Sequence, residues 1–434
     1  MRILATISIF CACASTIAQQ VIPKVRPHTP VEVQSLIESL GSRDYRERES
    51  AGKALSVEGD RILPSLKVGL AKSGSPEVQR RLTALIDKLD GERLLRPTLV
   101  SVDCTDAPVK VILADICKQA GYTLRDAGDA NPAVTLKLTA VPFWEAMNAV
   151  AGVSGFTILP QNDAVKTIYA YPNDAVSPHT CVAGPFRFTA SSIGGSRSVQ
   201  LANIPRRDRL AHPEFLGLGV QISSEPKLPI VGIGEVALVK ATDDKGHSLI
   251  PPVAEESRRA VRLYAAANHR SQNQTCSIDL VRGHRDATAI RRLDAKVAVE
   301  ILVEERPEIA VENLLAAKTK TFAGTTLDLA VDEVDEAMGA VTIKLTFRQR
   351  PGETDTARAF DTAVQRLVVL DDRGHRLHTG GVTEQITGTE SMTVRIGFSP
   401  RPGEKAGKPT KLMFNEWITK TREIAFHFEN VPLP

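Results

Sequence analysis

The sequence predicts a multi-domain α+β protein: a short helical array, a βαββαβ domain and two antiparallel β-sandwiches. Three observations predict it. The chain has 434 residues, and at roughly 100–200 residues per domain this implies two to four domains. Its hydrophobic period changes along the chain, from helical over 30–91, through alternating helix and strand over 96–172, to period two beyond 180. A short element, Asp-Asp-x-Gly-His, begins at Asp243 and returns 128 residues later at Asp371.

Composition narrows the classes. The chain is 42% hydrophobic and 24% charged, which excludes wholesale disorder. Aromatics are only 5%, which weighs against a surface that stacks sugars or single strands. A net charge of +3 is too mild to imply a polyanion, so no nucleic-acid partner is expected.

The N-terminus reads as a signal peptide over 1–18. Arg2 precedes an apolar, small-residue run from Ile3 to Ala14, with Thr16-Ile17-Ala18 as the exit. The run is shorter than the roughly 20 residues a lasting membrane span needs, and no later segment is longer. The mature chain is therefore expected in the periplasm or outside the cell, without a transmembrane segment. Phe10-Cys11-Ala12-Cys13 is a poor lipobox, so a lipid anchor on Cys13 is not expected. Residues 19–29 form a Pro-bearing linker. Of six cysteines, Cys104 and Cys117 fall on apolar faces as small core residues. Cys181 and Cys276 share one β-rich stretch and are the better candidates for a disulfide in an oxidising compartment.

Residues 30–91 read as four amphipathic helices. Thr29 is the N-cap, Pro30 the first helical residue and Glu32 the capping-box partner. The stripes are Val33, Leu36, Ile37, Leu40; then Tyr45, Ala51, Ala54, Leu55; then Ile62, Leu63, Leu66, Leu70; then Val78 to Leu89, with Gly91 as the stop. The pieces Asp44-Tyr45-Arg46-Glu47, Leu63-Pro64-Ser65-Leu66 and Ser75-Pro76-Glu77-Val78 resemble HEAT repeats. That resemblance implies binding or spacing, with one apolar flank left for a neighbour, since so few repeats do not bury a continuous core.

Residues 96–172 alternate strand and helix. Strands are expected at Leu99–Cys104, Tyr122–Leu124, Val134–Leu138, Phe156–Leu159 and Thr167–Ala170. Helices are expected after Pro108, ending at Gly121, and from Phe143, ending near Gly155. Val102-Asp103, Ala107-Pro108, Ala120-Gly121, Val141-Pro142 and Glu145-Ala146-Met147 resemble the short N-terminal domain of secretins and TonB-dependent transducers. The resemblance implies docking to envelope proteins, with no catalytic residue to carry over. No pore or barrel follows, so transport is not implied. Phe143 and Trp144 are candidate interface residues; the alternative places Trp144 in the core.

Beyond Thr180 short strands recur with Gly, Pro and Asp between them, as in antiparallel sandwiches. The repeated Asp243-Asp244-Lys245-Gly246-His247 and Asp371-Asp372-Arg373-Gly374-His375 suggest a duplication, copy one over 182–315 and copy two over 316–434. Each element reads first as a hairpin turn. Asp243, His247, Asp371 and His375 remain weak metal candidates, because adjacent Asp side chains in a strand point to opposite faces. Arg206, Arg207, Arg209, Arg258, Arg259 and Arg262 belong to a basic cluster that reads as solvated surface. No nucleophile, zinc, P-loop or dinucleotide motif occurs, so catalytic residues and cofactors are expected to be none. The expected function is a non-enzymatic scaffold that docks envelope proteins or cell-wall components. Competing readings are a hydrolase or carbohydrate-binding protein using sandwich loops, and an accessory subunit of a secretion or transport machine.

Overall fold

A computed structural model of the chain describes residues 28–161, 166–173, 177–196, 214–251, 270–350, 356–400 and 407–434. The expected signal peptide, most of the linker, Cys11, Cys13 and the arginines at 206, 207, 209, 258, 259 and 262 lie outside the described residues. The fold mixes helix and strand, is strand-rich and contains several sheets. It divides into two compact units at Leu95/Arg96.

The first unit is helical: α1 (Pro30–Ser39), α2 (Tyr45–Val57), a 3-10 turn (Gly59–Ile62), α3 (Leu63–Lys72) and α4 (Pro76–Leu94). The capping box closes α1, with the Thr29 N–H donating to Glu32 Oε2 at 2.6 Å and the Glu32 N–H to Thr29 Oγ at 3.3 Å. Asp44 caps α2 by accepting from the Arg46 N–H at 2.8 Å. Val33, Ile37, Leu40, Leu55, Leu66, Leu82 and Leu89 form the shared core. Gly91 does not stop α4: it is buried in the helix, and the helix ends at Leu94. The stop lies instead with Pro97, which disfavours helical geometry in the residue before it.

The second unit begins with β1 (Leu99–Pro108), α5 (Val109–Ala120), β2 (Thr123–Asp126), β3 (Ala133–Pro142), α6 (Phe143–Ser154), β4 (Phe156–Pro160) and β5 (Thr167–Pro172). Both helices end on a left-handed glycine, Gly121 and Gly155, which carries no Cβ penalty there. β1 pairs with β3, and a second sheet has the order β2-β5-β4. Val109, Ile112, Leu113, Ile116, Phe143, Met147, Val150 and Ile168 make one core.

Next come β6 (Thr180–Ala183), β7 (Phe186–Ser196), β8 (Phe215–Ser224), β9 (Ile230–Asp243), β10 (Asn273–Val281) and β11 (Ala289–Val311). They are followed by β12 (Lys320–Phe322), β13 (Leu327–Ala337), β14 (Ala340–Gln349), α7 (Thr356–Ala363), β15 (Leu367–Asp371), β16 (His378–Thr387), β17 (Ser391–Ser399) and β18 (Pro409–Pro432). Three sheets result, with the orders β10-β8-β7-β6, β15-β18-β11-β9 and β12-β13-β14-β17-β16.

The middle sheet is palindromic. β9 corresponds to β15 and β11 to β18, so exchanging the halves reproduces the order. β11 and β18 pair from Ala289↔Pro432 to Val311↔Leu412. Each of them serves two cores. Ile309 and Val311 of β11 join Leu412 and Phe414 of β18 in a core with Leu329, Ile343, Phe347 and Val394. At the opposite end Phe426 of β18 stacks on Phe188 of β7, ring centroids 4.3 Å apart. The expected division at 315/316 therefore does not separate two self-contained sheets. Two bulges in the β11/β18 ladder, at Leu302/Glu304 and Pro307/Ile309, mark the stretch where β11 leaves one core for the other, since a bulge bends the strand. Pro307 is tolerated because β9 pairs with β11 only from Ile290 to Ile301. Beyond that, β11 is an edge and needs no N–H on that side.

Candidate functional site

The two Asp-Asp-x-Gly-His elements fold into the same turn. In the first, the Asp243 N–H donates to the His247 carbonyl at 3.0 Å and the Gly246 N–H to the Asp243 carbonyl at 3.1 Å. The second repeats this, with Asp371 to His375 at 3.0 Å and Gly374 to Asp371 at 3.0 Å. Asp243 Oδ1 accepts from the N–H groups of Lys245 (3.0 Å) and His247 (2.7 Å). Asp371 Oδ1 accepts from Arg373 (2.9 Å) and His375 (2.8 Å). Both glycines have positive φ, +87° and +80°, which the turn requires.

A second glycine completes each turn from a distant segment. A Cβ on Gly283 would lie 2.8 Å from Asp243 Oδ2, and one on Gly407 would collide with Asp371 Oδ2. These two glycines, each just ahead of β11 or β18, are part of the repeat that the sequence reading missed.

The Oδ1 atoms of Asp243 and Asp371 are thus taken up by backbone N–H groups. Asp244 faces away and accepts from the Thr288 N–H and hydroxyl at 3.2 and 3.0 Å. Asp372 accepts from the Lys408 N–H at 3.1 Å. His247 and His375 lie half exposed, with Nδ1 3.6 Å from Asp243 and 3.4 Å from Asp371. Among the described residues no group of three or more His, Cys, Asp or Glu is placed to hold a metal. Burial pushes the Asp371 carboxyl up, but the His375 and Arg373 N–H groups and the His375 ring outweigh this and leave it below the usual carboxylate value.

Phe143 and Trp144 are fully buried. Trp144 packs against a strand of the same unit: the Arg187 guanidinium of β7 lies 4.2 Å from its ring centre. Arg187 also donates to the Ile158 carbonyl at 2.6 Å and to Asn148 Oδ1 at 3.4 Å. Burial pushes Arg187 down to about 10, so it stays charged at neutral pH.

A second contact ties residues 96–172 to the same sheet. Glu225, 0% exposed, accepts from the Thr98 N–H (2.9 Å), the Thr98 hydroxyl (2.5 Å) and the Tyr122 hydroxyl (2.8 Å). Lys227 Nζ lies 3.1 Å from Glu225 Oε2 and donates to the Arg96 carbonyl at 2.9 Å. Burial and the neighbouring Glu225 carboxylate hold the Tyr122 phenol well above its usual value, so it remains a donor. Residues 96–172 are thereby held to the sheet through one buried carboxylate and one buried guanidinium. Sequence reading missed both, because a lone Glu or Arg in a strand-rich stretch carries no local signal of burial.

All four described cysteines are free. Cys181 lies on β6 and Cys276 on β10, opposite edges of one four-stranded sheet. Three strand spacings, about 14 Å, exceed the roughly 7 Å over which Cα atoms are bridged. The expected pairing is not made. Cys276 instead lines a cleft of about 640 Å³ between β9 and β10. Burial pushes the Cys276 thiol up to about 11 and the Cys117 thiol up to about 12, so neither is a ready nucleophile.

No helix among the described residues is long and apolar enough to cross a membrane. Comparison with protein-family models, curated proteins and solved structures finds no match to this chain.

Proposed function

We propose that the protein is a non-enzymatic binding and scaffold protein that works in the periplasm or at the cell surface and docks envelope proteins or cell-wall components. The joint between 96–172 and the strand-rich region carries this reading. Its two buried charged side chains, Glu225 and Arg187, are used to tie residues 96–172 to the strands within one compact unit. A chain that spends its buried charges on internal rigidity is suited to presenting surfaces at set positions. In this reading the HEAT-like helices and the secretin-like docking domain make the contacts, and the two sandwich halves space them.

Cross-linking mass spectrometry on intact cells tests it. Cross-links from residues 30–172 to envelope proteins are expected. Turnover of a reporter ester or glycoside by the purified chain, abolished by changing one side chain, overturns the reading.

A further inference from the structure

β9 and β10 are end strands of two different sheets and lie beside each other. The start of β9 is bridged to the residues just ahead of β10, and the end of β10 is tied to the segment that follows the Asp243 turn. Ile230 and Ser271 exchange backbone hydrogen bonds of 2.7 and 2.9 Å, and the Val281 N–H donates to the Leu249 carbonyl at 2.9 Å. Between these ties the two strands do not pair. The cleft there is lined by Ile233, Val236 and Leu238 on one side and by Thr275 to Asp279 on the other. Its volume of about 640 Å³ falls within the usual range of ligand sites, about 300–1,000 Å³.

β10 carries neither a bulge nor a proline nor the shortness that protects other sheet edges. It pairs with β8 over nine consecutive residues without a register shift. The other strands at the ends of these three sheets are short, as in β6, β12 and β15, or bulged, as in β9 and β16. The N–H groups of Ser271 and Val281 point away from β8, so by alternation those of Thr275, Ser277 and Asp279 face the cleft. The second half shows what such an edge accepts. β17 holds the place there that β10 holds here, and its outer edge carries β16, antiparallel. Of the lining residues, Ile278, Val236 and Leu238 are apolar, and the charged ones, Glu235 and Asp279, are both acidic.

We propose that the slot between β9 and β10 binds an extended peptide segment of a partner protein, about five residues long, pairing antiparallel with β10. Alternate apolar side chains of that segment lie on Ile278, Val236 and Leu238, and a lysine or arginine faces the rim formed by Glu235 and Asp279. The inference rests on the binding reading above and names a partner chemistry for it.

The test uses the full chain and a fluorescein-labelled hexapeptide of alternating valine and lysine, with a valine–glutamate peptide as control. Fluorescence anisotropy is expected to show the basic peptide binding at least about tenfold tighter, since like charges disfavour the acidic one. Hydrogen exchange of the Thr275, Ser277 and Asp279 N–H groups, which the β8 ladder leaves free, is expected to slow only when the basic peptide is present. Ser277→Pro removes a cleft-facing donor without touching the β8 ladder and should abolish binding. Asp279→Lys, which leaves the backbone intact, should shift preference toward the acidic peptide. Protection of the Thr275, Ser277 and Asp279 N–H groups already present without peptide overturns the proposal, as does equal binding of both peptides or unchanged binding by Asp279→Lys. If the peptide fails while cross-linking still connects the chain to envelope proteins, the slot is refuted and the scaffold reading stands. Absence of any such cross-link refutes the scaffold reading itself.

Discussion

Replacing Glu225 tests the joint directly. Glu225→Ala removes an acceptor that takes three hydrogen bonds and faces one ammonium. The Tyr122 hydroxyl and the Thr98 N–H are left without their partner, each costing about 1–3 kcal/mol when buried. Lys227 adds little. Its side chain is 30% exposed and keeps the Arg96 carbonyl and Thr98 hydroxyl as acceptors, so its charge rehydrates cheaply. The expected loss is about 3–5 kcal/mol, as for other buried carboxylates removed from their donors. Glu225→Gln keeps the shape and one acceptor, and the two hydroxyls can turn to accept from its amide, so it should cost about 1–2 kcal/mol. Urea denaturation ranks the three proteins, and native-state hydrogen exchange locates the loss. Exchange should quicken in β1 and β2 before it does in β13 and β14, which are remote from the joint in the sheet order. An alanine variant within about 1 kcal/mol of the parent, or exchange that rises first in β13 and β14, refutes the reasoning.

Three further outcomes are expected. Gly246→Ala and Gly374→Ala should each lose about 1–2 kcal/mol, the cost of a Cβ in left-handed backbone, because a Cβ at either position meets no other atom within 4 Å; a gap of several kcal/mol between them in matched denaturation curves would contradict the equivalence of the turns. Cys181→Ser and Cys276→Ser should each change stability by less than about 1.5 kcal/mol, far below the roughly 2–5 kcal/mol of a lost disulfide, and mass spectrometry of non-reduced digests should find no 181–276 linkage. Asp371 has a lowered native pKa, so its contribution is complete above the ordinary aspartate value of 3.8 and is lost as pH falls through the lower native value; Asp371→Asn should flatten that acid limb of the stability curve.

What could be read from sequence followed from local repetition. The stripe Val33, Leu36, Ile37, Leu40 and the box Thr29/Glu32 mark a helix because every signal lies within one or two turns. The twin turns were readable because Asp, Gly and the following apolar residue act within five positions. The palindromic sheet was not, since period two in β11 and β18 says which face is buried and nothing about which distant strand lies alongside. α7 escaped notice because it is only eight residues long and its one large buried apolar side chain is Phe360. β16 escaped because it is exposed along almost its whole length and shows no alternation. Cys181 and Cys276 were near in module and far in space, a distinction that depends on strand order alone.

The two long ladder strands have a consequence for how the chain can be divided. A cleavage after residue 315 would leave each fragment holding one rail of a zipper whose teeth belong to the other. Neither fragment should persist as a folded monomer. Co-expressed, the two should reassemble without a covalent link, and at high concentration intact chains should be able to trade rails and form interlocked pairs.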